Sequence, residues 1–152
     1  MKRIEFGELR IGEIARQNLI DVCDTNWVSN GPKVKEFEEK WGRLFGFKQN
    51  IAMSSGTDGC INACLSLYDI RKAQRGDEVI VPALSFIATS NAVRAAGFVP
   101  KFVDIKKETL NIDESKIEEA ISDKTVAIMP VHTMGRPAEM EVICSIAKKH
   151  NL

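Results

Sequence analysis

Gly76-Asp77-Glu78-Val79-Ile80-Val81-Pro82 is the stretch on which the fold turns. A turn dipeptide, Gly76-Asp77, leads into Glu78 and then Val79, Ile80 and Val81, which are all apolar and β-branched and do not alternate with polar residues. That is the pattern of a short strand, and Pro82 closes it because proline cannot donate to a ladder.

On either side of it the sequence continues as short apolar runs separated by helical stretches. Upstream, Ile51-Ala52-Met53 reads as a short strand and Ser54-Ser55-Gly56-Thr57 as a tight turn into a helix carrying Ile61, Ala63, Cys64, Leu65 and Leu67. Downstream, a helix is expected over 86–96, stopped by Gly97, and a strand over 101–105. Asn111-Ile112-Asp113 caps a further helix reaching Ile121, a buried strand covers 126–131, and a loop to Pro137 opens a last helix to Lys149. Strands alternating with helices point to an α/β fold around a mostly parallel sheet.

Ahead of this pattern, Ile11, Ile14, Ala15, Leu19 and Val22 recur at helical intervals over 10–22 and give an amphipathic helix. The loop Trp27-Val28-Ser29-Asn30-Gly31-Pro32 follows, with Pro32 suited to a first helical turn. The next helix runs to Phe45, its stripe of Val34, Phe37, Trp41, Leu44 and Phe45 opposed by a solvated face of Lys33, Lys35, Glu36, Glu38, Glu39 and Lys40, and Gly46 stops it. The expected division is residues 1–30 as helix and loop and 31–152 as part of one larger domain. A closing helix that ends in Lys148-Lys149-His150-Asn151-Leu152 should hand the chain to another strand, so the sheet is expected to be incomplete at the C-terminus. An unfinished sheet leaves an edge and apolar helix faces, which favour self-association or a missing partner segment.

With 152 residues, 44% of them hydrophobic, the chain is sized for one domain or one piece of one. Its 21 Lys+Arg balance 21 Asp+Glu, which argues against nucleic acid or an anionic membrane as partner. No apolar run is long enough for a membrane span, and Met1-Lys2-Arg3-Ile4-Glu5-Phe6 lacks the apolar stretch of a signal peptide, so a cytoplasmic protein is expected. Cys23, Cys60, Cys64 and Cys144 are scattered, and with only His132 and His150 besides they read as free thiols without a metal site.

Three stretches bear on chemistry. Ser54-Ser55-Gly56-Thr57 combines hydroxyls with a glycine at a helix start, where backbone N–H groups and the helix dipole favour a phosphate; an ordinary cap with a glycine turn is the plainer alternative. Phe86 follows a strand's carboxyl end, where open α/β sheets bind ligands, and is placed either to stack on a planar ring or to pack in the core. His132, with Thr133, Gly135 and Arg136, follows another such end and reads as a hydrogen-bonded structural residue; Asp104 reads as a turn group. No Walker or dinucleotide glycine pattern is present.

In order and spacing, these pieces resemble the DegT/DnrJ/EryC1/StrS sugar aminotransferases from about Leu9 onward. The residues that carry the resemblance are the Trp27–Pro32 loop with Val34, Phe37 and Glu38; Ser54-Ser55-Gly56-Thr57; Gly76 to Pro82; Phe86-Ile87-Ala88-Thr89; Phe102-Val103-Asp104-Ile105; Leu110-Asn111-Ile112-Asp113; and Pro130-Val131-His132 with Gly135 and Pro137.

The resemblance implies the three-layer, mostly parallel sheet of the aspartate-aminotransferase (fold type I) large domain. It also implies a homodimer that uses pyridoxal 5'-phosphate to move an amino group from glutamate or glutamine onto a nucleotide-linked keto-sugar, for surface polysaccharide, lipopolysaccharide or antibiotic sugars. By position, Ser55, Gly56 and Thr57 would hold the coenzyme phosphate, Phe86 would lie against its ring, and Asn30 and Gly31 would face the sugar. Asp58 sets a carboxylate near that phosphate unless it points outward. In the family the acid that pairs with the ring nitrogen and the Schiff-base lysine come later than Leu152, so this stretch by itself is expected to be inactive, with no catalytic residue of its own. A sugar dehydratase of the same fold using pyridoxamine phosphate, and a non-catalytic remnant acting in binding or dimerisation, are the alternatives.

Overall fold

The computed structural model describes Gly7, residues 9–27 and residues 29–152. The opening hexapeptide and Val28, both used above, lie outside the described residues. The chain forms two compact units, one ending at Ala52 and one beginning at Met53.

The first unit carries α1 (Glu13–Thr25) and α2 (Pro32–Phe45). α2 has the bounds its sequence announces, because Pro32 sits in the first turn and Gly46 accepts the left-handed conformation (φ 76°) that ends it. α1 starts three residues later than its apolar spacing suggests and ends beyond Val22, at Thr25, where Asn26 takes a left-handed cap (φ 53°). The stripe on α2 is present as a ladder of rings, with Phe37 and Trp41 centroids 5.8 Å apart and Trp41 and Phe45 4.4 Å apart, all exposed. The opposite face carries i,i+4 pairs, Lys40 with Glu36 and Arg43 with Glu39, as a solvated face should. The strand expected at Ile51-Ala52-Met53 does not form. A strand needs a neighbour to pair with, and here the Ala52 N–H donates instead to the Glu38 carboxylate at 2.7 Å.

The second unit is built around β1 (Glu78–Pro82), the central member of a three-stranded parallel sheet ordered β2-β1-β3, with β2 (Val99–Val103) and β3 (Thr125–Ile128) on its flanks. Successive side chains of β1 enter opposite cores. Val79 and Val81 pack with Cys64 of α3 (Gly56–Ile70), with Val93 of α4 (Ala88–Ala95), and with Ala73, Ala96 and Phe98. Ile80, wholly buried, packs on the other side with Val103, Ile112, Ile117 of α5 (Ile117–Ala120), Ala138, and Ile143 and Ile146 of α6 (Met140–Lys149). Helices therefore cover both faces, giving three layers.

Several boundaries move. β2 begins at Val99 and takes in Pro100, because it pairs with β1 on one side only and a proline without an N–H is tolerated on such a flank. The segment expected as one helix to Ile121 is a 3-10 turn, Glu114–Lys116, capped by Asp113, followed by the short α5. The helix expected over 86–96 is the shorter α4, and the strand expected over 126–131 is β3, ending at Ile128. At the amino ends of the strands Glu78 accepts from Lys101 (3.1 Å), Ser122 (2.5 Å) and Thr125 (3.3 Å), and the Ser122 hydroxyl above all holds its carboxyl below the usual range.

Candidate functional site

α4 leaves the carboxyl end of β1, and α3 delivers the chain toward the amino end of the same strand, so both helices run against β1 and begin at the same end of the sheet. Tyr68, late in α3, donates to the Ala96 carbonyl just after α4 at 2.8 Å, tying the two finishing ends together. The starts of both helices and the loops after β1 and β3 thus share one rim, the place where parallel sheets present ligands.

At the start of α3, Ser55 is the N-cap and its hydroxyl accepts from the Asp58 N–H at 3.1 Å. The Asp58 carboxylate folds back in turn and accepts from Ser55 Oγ at 2.9 Å and from Ser54 Oγ, closing a reciprocal cap. These two hydroxyls hold the Asp58 carboxyl below its ordinary value, Ser54 contributing most. The first intrahelical bond at this end is from the Gly59 N–H to the Ser55 carbonyl, leaving the N–H groups of Gly56 and Thr57 ahead of it. A side chain built on Gly56 would meet nothing within 4 Å, and Ser54 to Thr57 are all exposed. The reading of this turn as a cap is therefore correct, and the turn also stays open to a ligand. The S-x-x-D spacing of Ser55 and Asp58 is that of a capping box, a signal that sequence reasoning passed over, although here the carboxylate returns to the serine hydroxyls.

Phe86 precedes α4 with 78% of its surface exposed, so it is not a core residue. Its carbonyl is held by the Thr89 N–H and by Ser85 Oγ, each at 3.1 Å, which fixes the backbone beneath a free ring.

The loop after β3 is braced by a residue read only as part of a helix cap. Asn111, 3% exposed, donates to the carbonyls of Arg136 and Pro137 at 3.0 Å each and accepts from the Thr133 N–H at 2.8 Å. His132 Nδ1 accepts from the Ala138 N–H at 3.0 Å, which is the structural role expected of it, and Asp104 accepts from its neighbour Ile105 N–H and from Lys116, as a turn group does. Asn111→Ala should lower stability by about 2–3 kcal/mol, because it removes three part-buried hydrogen bonds that pin both ends of the loop. Urea unfolding against the wild type checks this, and a loss below about 1 kcal/mol would mean that the loop holds itself.

In the first unit, Gly31 lies under the indole of Trp27, where an added Cβ would stand 2.7 Å from Nε1, and the same Nε1 donates to the Asn30 carbonyl at 3.1 Å. Gly31 is thus required by close packing, while Asn30 is exposed. All four cysteines are free thiols; burial, and the neighbouring Cys60, push the Cys64 thiol up. Among the described residues no helix is long and apolar enough to cross a membrane.

Residues 10–152 match the model of the DegT/DnrJ/EryC1/StrS aminotransferase family. The chain is 36% identical over 153 residues to GDP-perosamine synthase of Caulobacter vibrioides, covering all of this chain and 40% of that protein. It is 42% identical over 134 residues to the 3-oxo-glucose-6-phosphate:glutamate aminotransferase of Bacillus subtilis, covering 88% of this chain and 30% of that one. Among solved structures it superposes on E. coli GDP-4-keto-6-deoxy-D-mannose-3-dehydratase with bound hydrated PLP at a TM-score of 0.87 and 31% identity, over 95% of this chain and 38% of the other. The chain therefore spans well under half the length of each protein named. Its fold is that of the fold type I large domain.

Proposed function

This chain belongs to the DegT/DnrJ/EryC1/StrS aminotransferase family, and from that premise we propose that its protein is a pyridoxal-phosphate-dependent enzyme moving an amino group from glutamate or glutamine onto a nucleotide-linked keto-sugar for polysaccharide assembly. The observation that carries the reading is the open start of α3, on the same rim as an aromatic ring that is free of the core. The donor set fits the coenzyme. The N–H groups of Gly56 and Thr57 and the Thr57 hydroxyl suit a phosphate ester, and the open space over Gly56 admits it. When bound, the coenzyme supplies an electron-withdrawing ring that carries the amino group between donor and acceptor and eases loss of a proton from the carbon bearing it.

This chain's own residues then bind and orient. Gly56 and Thr57 fix the phosphate, and Phe86 covers the pyridine ring with stacking worth about 0.5–1.5 kcal/mol beyond the area it buries. Ser55 serves chiefly by capping α3. The loop of Asn30 and Gly31 is assigned to the sugar, and the absence of a side chain on Gly31 lets Trp27 pack closely within it. We place the protein in the cytoplasm as a homodimer, with residues 31–152 supplying the N-terminal half of its large domain.

Incubating the whole protein with pyridoxal phosphate, glutamate and a nucleotide-linked keto-sugar should release 2-oxoglutarate and yield a sugar that retains the nitrogen. The likeness to a dehydratase gives a second reading, in which the sugar loses an oxygen and keeps no nitrogen; mass spectrometry of the product separates the two. Neither product, together with no coenzyme absorbance, would leave only a binding module.

A further inference from the structure

The Asp58 carboxylate is an anion that the protein already holds at the start of α3. Both neighbouring hydroxyls, Ser54 Oγ and Ser55 Oγ, donate to its Oδ2, and Ser55 Oγ also accepts from the Asp58 N–H. A hydroxyl has one proton to give, so neither serine donates to a second anion while Asp58 stays folded back. The donors that remain are the N–H groups of Gly56 and Thr57 and the Thr57 hydroxyl, and a phosphate drawn to them comes within a few ångströms of a like charge.

Resting on the phosphate reading above, we propose that Asp58 competes with the coenzyme phosphate for the start of α3 and thereby sets how tightly the coenzyme is held. Asp58 acts through charge and through the two serines it occupies, without touching the reacting atoms, so it is a positioning residue. Removing the charge while keeping the side-chain shape lifts the repulsion and weakens the hold on both hydroxyls, because a neutral amide oxygen accepts less strongly than a carboxylate. The gain is confined to ligands that carry the phosphate.

Calorimetric titration of the whole protein tests this with two probes, pyridoxal 5'-phosphate and pyridoxal, which lacks the phosphate, on the wild type, Asp58→Asn and Asp58→Ser. The expected result is roughly tenfold tighter binding of the phosphorylated ligand by both variants, with pyridoxal unchanged. Two neutral variants are used so that one still decides if the other fails to fold, and a thermal melt identifies such a case. Phosphate-bearing ligand bound no more tightly by the variants, or an equal gain for pyridoxal, overturns the role of Asp58 while the cradle stands. A wild type that binds both probes equally removes the cradle itself, and the proposal with it.

Discussion

Ile80→Ala should lower the stability of the unit beginning at Met53 by about 4 kcal/mol, the upper part of the range for deleting a large buried aliphatic group. Ile80 has no exposed surface and is the central strand's contribution to the core beneath α5 and α6, in contact with elements that enter from three later parts of the chain. No single neighbour can move in to fill the space, because β1 is held on both sides, by β2 through residues 99–103 and by β3 through residues 125–128. A cavity there stays open, and the cost is the lost transfer energy plus the cavity itself. Ile80→Val, which removes one methylene, should cost about 0.5–1.5 kcal/mol. Ile70→Ala, at a 73% exposed position on α3, should change stability by less than about 0.5 kcal/mol. Urea midpoints for the three variants give the comparison, and an Ile80→Ala cost no greater than that of Ile70→Ala would show that β1 is not buried on both faces.

β1 was legible because every local signal around it agrees: a glycine turn before it, a β-branched run, and a proline that ends it. α2 was legible for the same reason, since Pro32 and Gly46 mark its ends chemically. Ile51-Ala52-Met53 looked equally apolar, but whether a short apolar run becomes a strand is decided by a partner far away in sequence, and here Glu38 took the hydrogen bond. The strand expected from 101 begins instead at Val99 and includes Pro100, because the sheet order, also a long-range property, lets a proline sit within a flanking strand. The site shows the same division. The cap at Ser55 follows from residue type and the place of Phe86 from its position after a strand's carboxyl end, whereas the exposure of the Phe86 ring was left open by the sequence. The brace at Asn111 does not, because its partners at Thr133, Arg136 and Pro137 lie more than twenty residues on. The return of Asp58 onto its serines was within reach, since it needs only the three-residue spacing of a capping box.

Gly56→Val should leave the fold intact and weaken coenzyme binding by about a hundredfold, equivalent to about 2.7 kcal/mol. The protein's glycines differ in what demands them. Gly97 is required by the chain itself, with φ at 92° and a Cβ position 2.9 Å from the Tyr68 hydroxyl. Gly56 has an ordinary helical conformation, and nothing in the chain stands within 4 Å of where its side chain would be, so neither backbone geometry nor packing accounts for it. A glycine at the first position of this helix leaves the approach to its N–H groups clear for the phosphate proposed above. Two methyls placed there fill the approach to the Gly56 and Thr57 amides, and the helix propensity changes by only a few tenths of a kcal/mol, in favour of valine. The effect should fall on phosphate-bearing ligands, leaving pyridoxal itself less affected, and a thermal melt should show the variant as stable as the wild type. Unchanged binding of pyridoxal 5'-phosphate by a folded Gly56→Val protein would put the phosphate elsewhere, and Phe86 would then lose its reason for standing clear of the core at the same rim.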